Sequence, residues 1–224
     1  MTRVVHVIGN GDHSQLYKLR PRKGLRLTCN LPPFEVPDYF ATTIVDFKMM
    51  RAIQSGQLQV PFPWIIGYRP KIWMDNNPGF YMKVANGVKT IYTELPDYCP
   101  NYTDFSCGHF AAHYAANKLK ADVIHLYGFD SIFDFNLRSC SDFYMWSDRE
   151  NMNNNRLIEN WRPVWPGMFK EFPNCKFVFH HIHDNIKIPI SDNVTIETYD
   201  VKETKKIYDP KSGKEIPYEQ RPKK

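Results

Sequence analysis

The chain lacks paired cysteines, long apolar runs and a surplus of glycine, and each absence excludes a class of protein. Its five cysteines are odd in number and include no Cys-x-x-Cys pair, which argues against a disulfide framework and fits reduced thiols in a cytoplasmic protein. No apolar stretch approaches the ~20 residues that span a bilayer. The short apolar run near the N-terminus has no small-residue cleavage pattern of a secretory signal. A soluble chain without a membrane partner is the expectation. Glycine is outnumbered by proline, 11 against 17, so loops should be rigid and well defined. Repeats and low-complexity tracts are also missing.

What is present suits one large folded unit. With 224 residues, 42% of them hydrophobic and 15% aromatic, the chain can bury a real core. The net charge of +5 is unevenly spread. Lys18, Arg20, Arg22, Lys23 and Arg26 fall in a stretch with no acid, and Lys205, Lys206 and Lys214 belong to a basic tail. Two such regions on a near-neutral body are either solvated surface or the footprint of a polyanion site.

Periodicity predicts strands at Val4–Ile8, Leu25–Cys29, Thr42–Asp46, Trp64–Gly67, Lys89–Thr93, Asp122–Leu126 and Lys176–His180. Their apolar character on both faces fits a buried, largely parallel sheet with helices on both sides. Helices are predicted at Phe47–Gln54, Gly108–Leu119 and Asp148–Arg162, with a short turn at Met168–Phe172 after the breakers Pro163 and Pro166. From residue 186 the pattern changes to alternation at Val194, Ile196 and Thr198, followed by an Asp-Pro-Lys-Ser-Gly turn signal. The expected organisation is a domain over 1–185 and an appended strand or hairpin with a basic tail over 186–224.

Four segments carry candidate chemistry. Gly9-Asn10-Gly11 follows the first strand, Asn30 follows the second, and Ser106-Cys107-Gly108 opens a helix. Leu126-Tyr127-Gly128-Phe129-Asp130 ends a later strand. Glycines at a strand–turn–helix junction permit close approach of backbone N–H groups to a phosphate. In an open parallel sheet these loops meet at the carboxyl edge. The bland readings are a turn residue for Asn30 and a helix N-cap for Ser106.

In order and spacing these motifs resemble the bacterial sialyltransferase-like glycosyltransferases of family 42 and the related Gly-Asn-Gly pterin-pyrophosphokinase-like domains. The resemblance covers roughly residues 4–179. It implies a single Rossmann-like domain with a lid after the Gly-Phe-Asp strand, and a nucleotide sugar, CMP- or UDP-linked, used without metal or resident cofactor. It also implies nucleotide contacts from Asn10, Asn30 and Ser106, with Gly9, Gly11, Cys107 and Gly108 beside them. The family's histidine base, which lies between lid and last strand, has no counterpart, because no His occurs between His125 and His180. Asp130, Asp12 and His13 are the candidates for that role. Asp134 and Asp142 lie near the lid. Arg138 and Tyr144 are candidates to stabilise the departing phosphate.

Histidines at 109 and 113, and at 180, 181 and 183, read most simply as buried hydrogen-bonded imidazoles or a polar strand exit. The expected activity is therefore metal-independent glycosyl transfer to a hydroxyl, with hydroxymethylated pyrimidine in duplex DNA (phage-type hypermodification) as the favoured acceptor. The basic residues would then hold the nucleic acid. The alternatives are a non-catalytic nucleotide- or nucleic-acid-binding module and a pyrophosphokinase-like enzyme.

Overall fold

The computed structural model describes residues 2–20, 23–31, 34–134 and 157–200, and the backbone of 206–209 and 214–217. Arg22, Arg138, Asp142, Tyr144 and Lys205, together with residues 135–156 that follow the Gly-Phe-Asp strand, where a lid is expected, lie outside the described residues.

Eight strands form one sheet: β1 Val4–Ile8, β2 Leu25–Cys29, β3 Ala41–Ile44, β4 Trp64–Ile66, β5 Val88–Ile91, β6 Val123–Tyr127, β7 Lys176–His181 and β8 Val194–Thr198. Their spatial order is β5-β4-β3-β2-β1-β6-β7-β8, with all neighbours parallel. The chain winds outward one way from β1 and then restarts on the other side at β6. The switch in direction falls between β1 and β6, and that is where an open α/β sheet forms its crevice. This is a Rossmann-like α/β architecture, as the alternation of elements predicted. β8 lies in the stretch read from sequence as an extension, and it is the sheet's eighth strand. Beyond it, β9 Lys206–Asp209 and β10 Lys214–Pro217 form an antiparallel hairpin that contains Lys206 and Lys214.

Helices cover both faces. On one, α4 Cys107–Asn117 and α5 Val164–Glu171 bury Val5, Val7, Leu27, Ile65, Ile124, Leu126, Phe177 and Phe179 in the largest core cluster. Alanines 111, 112 and 115 let α4 approach the strands closely. On the other face, α1 Phe47–Gln54, α2 Tyr68–Asn76 and α3 Pro78–Val84 pack on Ile44, Trp64 and Ile66. A 3-10 segment, Asp12–Leu19, places Leu16 and Tyr17 against Ile8, Phe34 and Tyr127.

Three prolines sit inside helices, among them Pro166, which reads as a breaker in the sequence. Pro78 is the first residue of α3, and Pro70 and Pro166 sit in the first turns of α2 and α5. The first-turn amides have no intrahelical acceptor, so proline sacrifices no hydrogen bond there. For this reason α5 begins at Val164, where the sequence suggested only a short turn from Met168. The predicted helix over Asp148–Arg162 lies mostly outside the described residues, apart from a π-helical turn at Leu157–Trp161.

Candidate functional site

The turn after β1 is bonded directly to the turn after β6. Gly9 N–H donates to the Tyr127 carbonyl at 2.8 Å, and Gly11 N–H donates to the Gly128 carbonyl at 3.1 Å. A Cβ at Gly11 would stand 2.5 Å from Asp130 Oδ2, and Gly128 has φ +72° with Ser14 against it. Glycine is therefore required at both positions so that the two turns can close on each other. The closure brings His13 to Asp130. The His13 N–H donates to Asp130 Oδ2 at 3.3 Å, and His13 Nδ1 is 3.0 Å from Asp130 Oδ1.

β7 adds two more imidazoles. His181 Nε2 lies 3.9 Å from Asp130 Oδ1 and 3.8 Å from Asp134 Oδ2. His183 Nε2 is 3.3 Å from the same Asp134 oxygen. The Phe133 ring stacks on His181, centroids 4.0 Å apart, and fixes its plane. His13, Asp130 and His181 are buried, while Asp134 is 45% exposed and is the carboxylate of this group that reaches solvent. Burial, with the His13 charge as a smaller cause, pushes His181 down to about 4, so its ring is neutral near pH 7. Arg162, itself buried, donates to the carbonyls of Ser131 and Asp134 at 3.0 and 3.2 Å. It clamps the turn that carries both aspartates.

The other expected site residues fall in different places. Asp12 opens the 3-10 segment next to His13. Asn10 Nδ2 donates to the Leu31 carbonyl, tying the β1 turn to the β2 turn. Asn30 adopts φ +52°, the left-handed conformation of a turn residue, and its buried Oδ1 has no hydrogen-bond partner. Ser106 caps α4 in a capping box with His109. The Cys107 thiol is buried and donates to the Thr43 carbonyl at 3.1 Å, and burial pushes its pKa up. Cys107 is thus a core residue and does not face the crevice. Gly108 sits in the first turn of α4 beside the Phe129 ring.

The basic residues are not gathered at this edge. The Lys23 carbonyl meets His6 Nε2 at 3.3 Å, and the next residue, Gly24, lies against Val4 at the amino end of β1. Arg20 pairs with Glu197 of β8 at 2.6 Å and lies over the Tyr199 ring. Arg26 Nε donates to the Tyr17 hydroxyl at 2.5 Å.

His109 and His113, spaced as helical metal ligands would be, are engaged separately. His109 Nδ1 accepts from the Ser106 amide, and His113 is held by the Tyr92 hydroxyl at 2.6 Å and Glu171 at 3.1 Å. His181, His183 and Arg162 are the residues sequence reading missed at the site. A His-x-His pair at a strand end was the visible signal, and it was read as a polar strand exit.

No family model, curated protein or solved structure matches the chain. Architecture and site geometry therefore carry the functional reading.

Proposed function

We propose that the chain is an enzyme that transfers a sugar from a nucleotide donor, CMP- or UDP-linked, to a hydroxyl acceptor at the carboxyl edge of β1, β6 and β7. The observation that carries this reading is the convergence of two carboxylates and three imidazoles beside the crevice where the sheet reverses direction. Asn10 and the buried Asn30 Oδ1 lie on the adjoining β1 and β2 turns, where they suit the polar edge of a nucleotide.

In the proposed step the acceptor oxygen attacks the anomeric carbon. The bond from that carbon to the phosphate oxygen breaks, and its electron pair leaves with the phosphate. The acceptor proton passes to Asp134, the solvent-reaching carboxylate, which His183 orients. Arg162 holds the Asp134 backbone in register.

Nucleic acid as acceptor rests on basic residues that do not converge on this site, Lys23 lying beside the amino end of β1 and Arg20 being paired with Glu197. It is therefore one arm of the test beside small hydroxyl acceptors. Incubation with CMP- and UDP-sugars, with and without small saccharides or hydroxymethylated DNA, should give slow donor hydrolysis and a mass increase on one acceptor. Asp134→Asn should lower turnover by about 10²–10⁴-fold, the range for one general base, with donor affinity little changed. Failure of every nucleotide sugar to bind or hydrolyse would overturn the proposal and leave a non-catalytic module.

A further inference from the structure

We propose that His13, Asp130 and His181 bind one divalent transition-metal ion of the Zn²⁺ type. His13, Asp130 and His181 arrive from three separate elements, and each offers a ligand atom within 4.8 Å of the other two. Two of the separations are 3.0 and 3.9 Å. Ligand atoms around a tetrahedral ion bonded at about 2.0–2.2 Å stand roughly 3.3–3.5 Å apart, so small adjustments complete the set.

Hydrogen bonding does not account for the cluster. Asp130 Oδ1 takes no hydrogen bond, even from the imidazole nitrogen 3.0 Å away, and His181 Nε2 has none either. Both side chains are more than nine-tenths buried. A buried polar atom left without a partner costs about 1–3 kcal/mol, and more when charged. Two such atoms in one buried cluster, with the His13 imidazole beside them, are explained by a cation that both can bind.

The supporting contacts are those a metal site needs. The His13 amide holds the second Asp130 oxygen, Phe133 fixes the plane of His181, and Asp134 and His183 stand next to the group. A two-imidazole, one-carboxylate set is a zinc-type donor set that leaves a coordination position open. It suits Mg²⁺ poorly, because that ion prefers oxygen ligands and retained water. One consequence rests on the transferase reading: an ion here would favour a donor with a diphosphate leaving group, UDP-linked, over a CMP-linked one.

The test is calorimetric titration of the metal-stripped full chain with ZnCl₂ and with MgCl₂, together with the visible spectrum after CoCl₂. The expected result is one Zn²⁺ per chain, no comparable Mg²⁺ binding, and intense low-coordinate Co²⁺ bands. His181→Leu and Asp130→Asn should each weaken Zn²⁺ by more than about 100-fold, and Asp134→Asn by roughly tenfold, as for a residue next to the ligands. The Co²⁺ spectrum of the unaltered chain needs no variant, so the proposal stays testable if a substitution prevents folding. Absence of Zn²⁺ binding, a six-coordinate aqueous Co²⁺ spectrum, or affinity unchanged by both His181→Leu and Asp130→Asn would overturn it. Nucleotide-sugar binding, measured separately in chelator, can fail or succeed without affecting this result.

Discussion

His180 and His181 are neighbours on β7, and the pleat sends them to opposite faces of the sheet. His180 joins a hydrogen-bonded row. His6 stacks on His125 at 5.0 Å, His125 Nδ1 meets His180 Nε2 at 2.9 Å, and His180 Nδ1 meets the Tyr199 hydroxyl at 2.9 Å. Tyr199 in turn donates to Glu197. Both nitrogens of His180 are engaged in this row, Nε2 with His125 and Nδ1 with Tyr199, as a neutral imidazole with one donor and one acceptor can be. His181 instead turns toward Asp130, Asp134 and His13, where its own Nε2 and Asp130 Oδ1 have no hydrogen bond. Burial is common to both clusters. What separates His180 from His181 is whether the protein supplies a hydrogen-bond partner for each ring nitrogen, and a buried nitrogen without one points to a ligand.

The largest expected effect tests that contrast directly. His180→Leu leaves His125 Nδ1 and the Tyr199 hydroxyl with a buried lost partner each, and should cost about 2–4 kcal/mol by urea unfolding of the metal-stripped chain. At the His181 ring the hydrogen bond shown is a long one from the His183 amide, 3.4 Å, and leucine can keep the apolar contact with Phe133, so His181→Leu should cost about 1 kcal/mol or less. Reversal of that order would erase the distinction between the two clusters.

Gly11→Ala comes next. Its methyl group would enter the space of Asp130 Oδ2 and the Gly128 carbonyl, 2.5 and 2.7 Å away. A loss of roughly 1–3 kcal/mol is expected, together with weakened Zn²⁺ binding as Asp130 is displaced. Retained Zn²⁺ affinity in this variant would show that Asp130 is not placed by the turn.

A third buried imidazole belongs with the satisfied class. Desolvation pushes His109 down to about 3, below the ordinary value of about 6.5 in an unfolded chain. Between those values the unfolded state binds the extra proton, so stability is full above pH ~6.5 and falls as pH drops toward 3. The slope from this group is roughly 1 kcal/mol per pH unit. Acid unfolding of His109→Gln should be correspondingly flatter, and an unchanged acid limb would contradict the assignment.

Arg20→Ala should matter least. Its ion pair with Glu197 is exposed on the arginine side, 59%, and pairs of this kind contribute below about 1 kcal/mol. Chemical denaturation should show a shift within that bound.

The fold was legible wherever burial imposed a pattern. Val4–Ile8 and Leu25–Cys29 read as strands because both their faces are covered, and Phe47–Gln54 read as a helix because its apolar residues recur at helical spacing. The helices at 68–76 and 78–84 were not predicted; each carries a proline in its first turn, at Pro70 and Pro78, where a helix tolerates it. At the site, His13 and Asp130 were recognisable from their positions after strand ends. His181 and His183 were not, since only the parallel pairing of β6 with β7 brings residues separated by some fifty positions to one edge. The placement of the Cys107 thiol was likewise not legible, because helix α4 turns it onto Thr43. The basic cluster looked functional from charge alone, while its described residues part company in the fold, Lys23 beside the amino end of β1 and Arg20 beside Glu197 of β8.

The central claim is that the two imidazole clusters differ in kind, and side-chain ¹⁵N spectra of the metal-stripped chain during ZnCl₂ titration test it most directly. The account predicts that His13 Nδ1 and His181 Nε2 take on the shifts of metal-bound nitrogens up to one equivalent, while His6, His125 and His180 keep theirs. Shifts confined to the His6–His125–His180 row, or spectra indifferent to Zn²⁺ throughout, would contradict it.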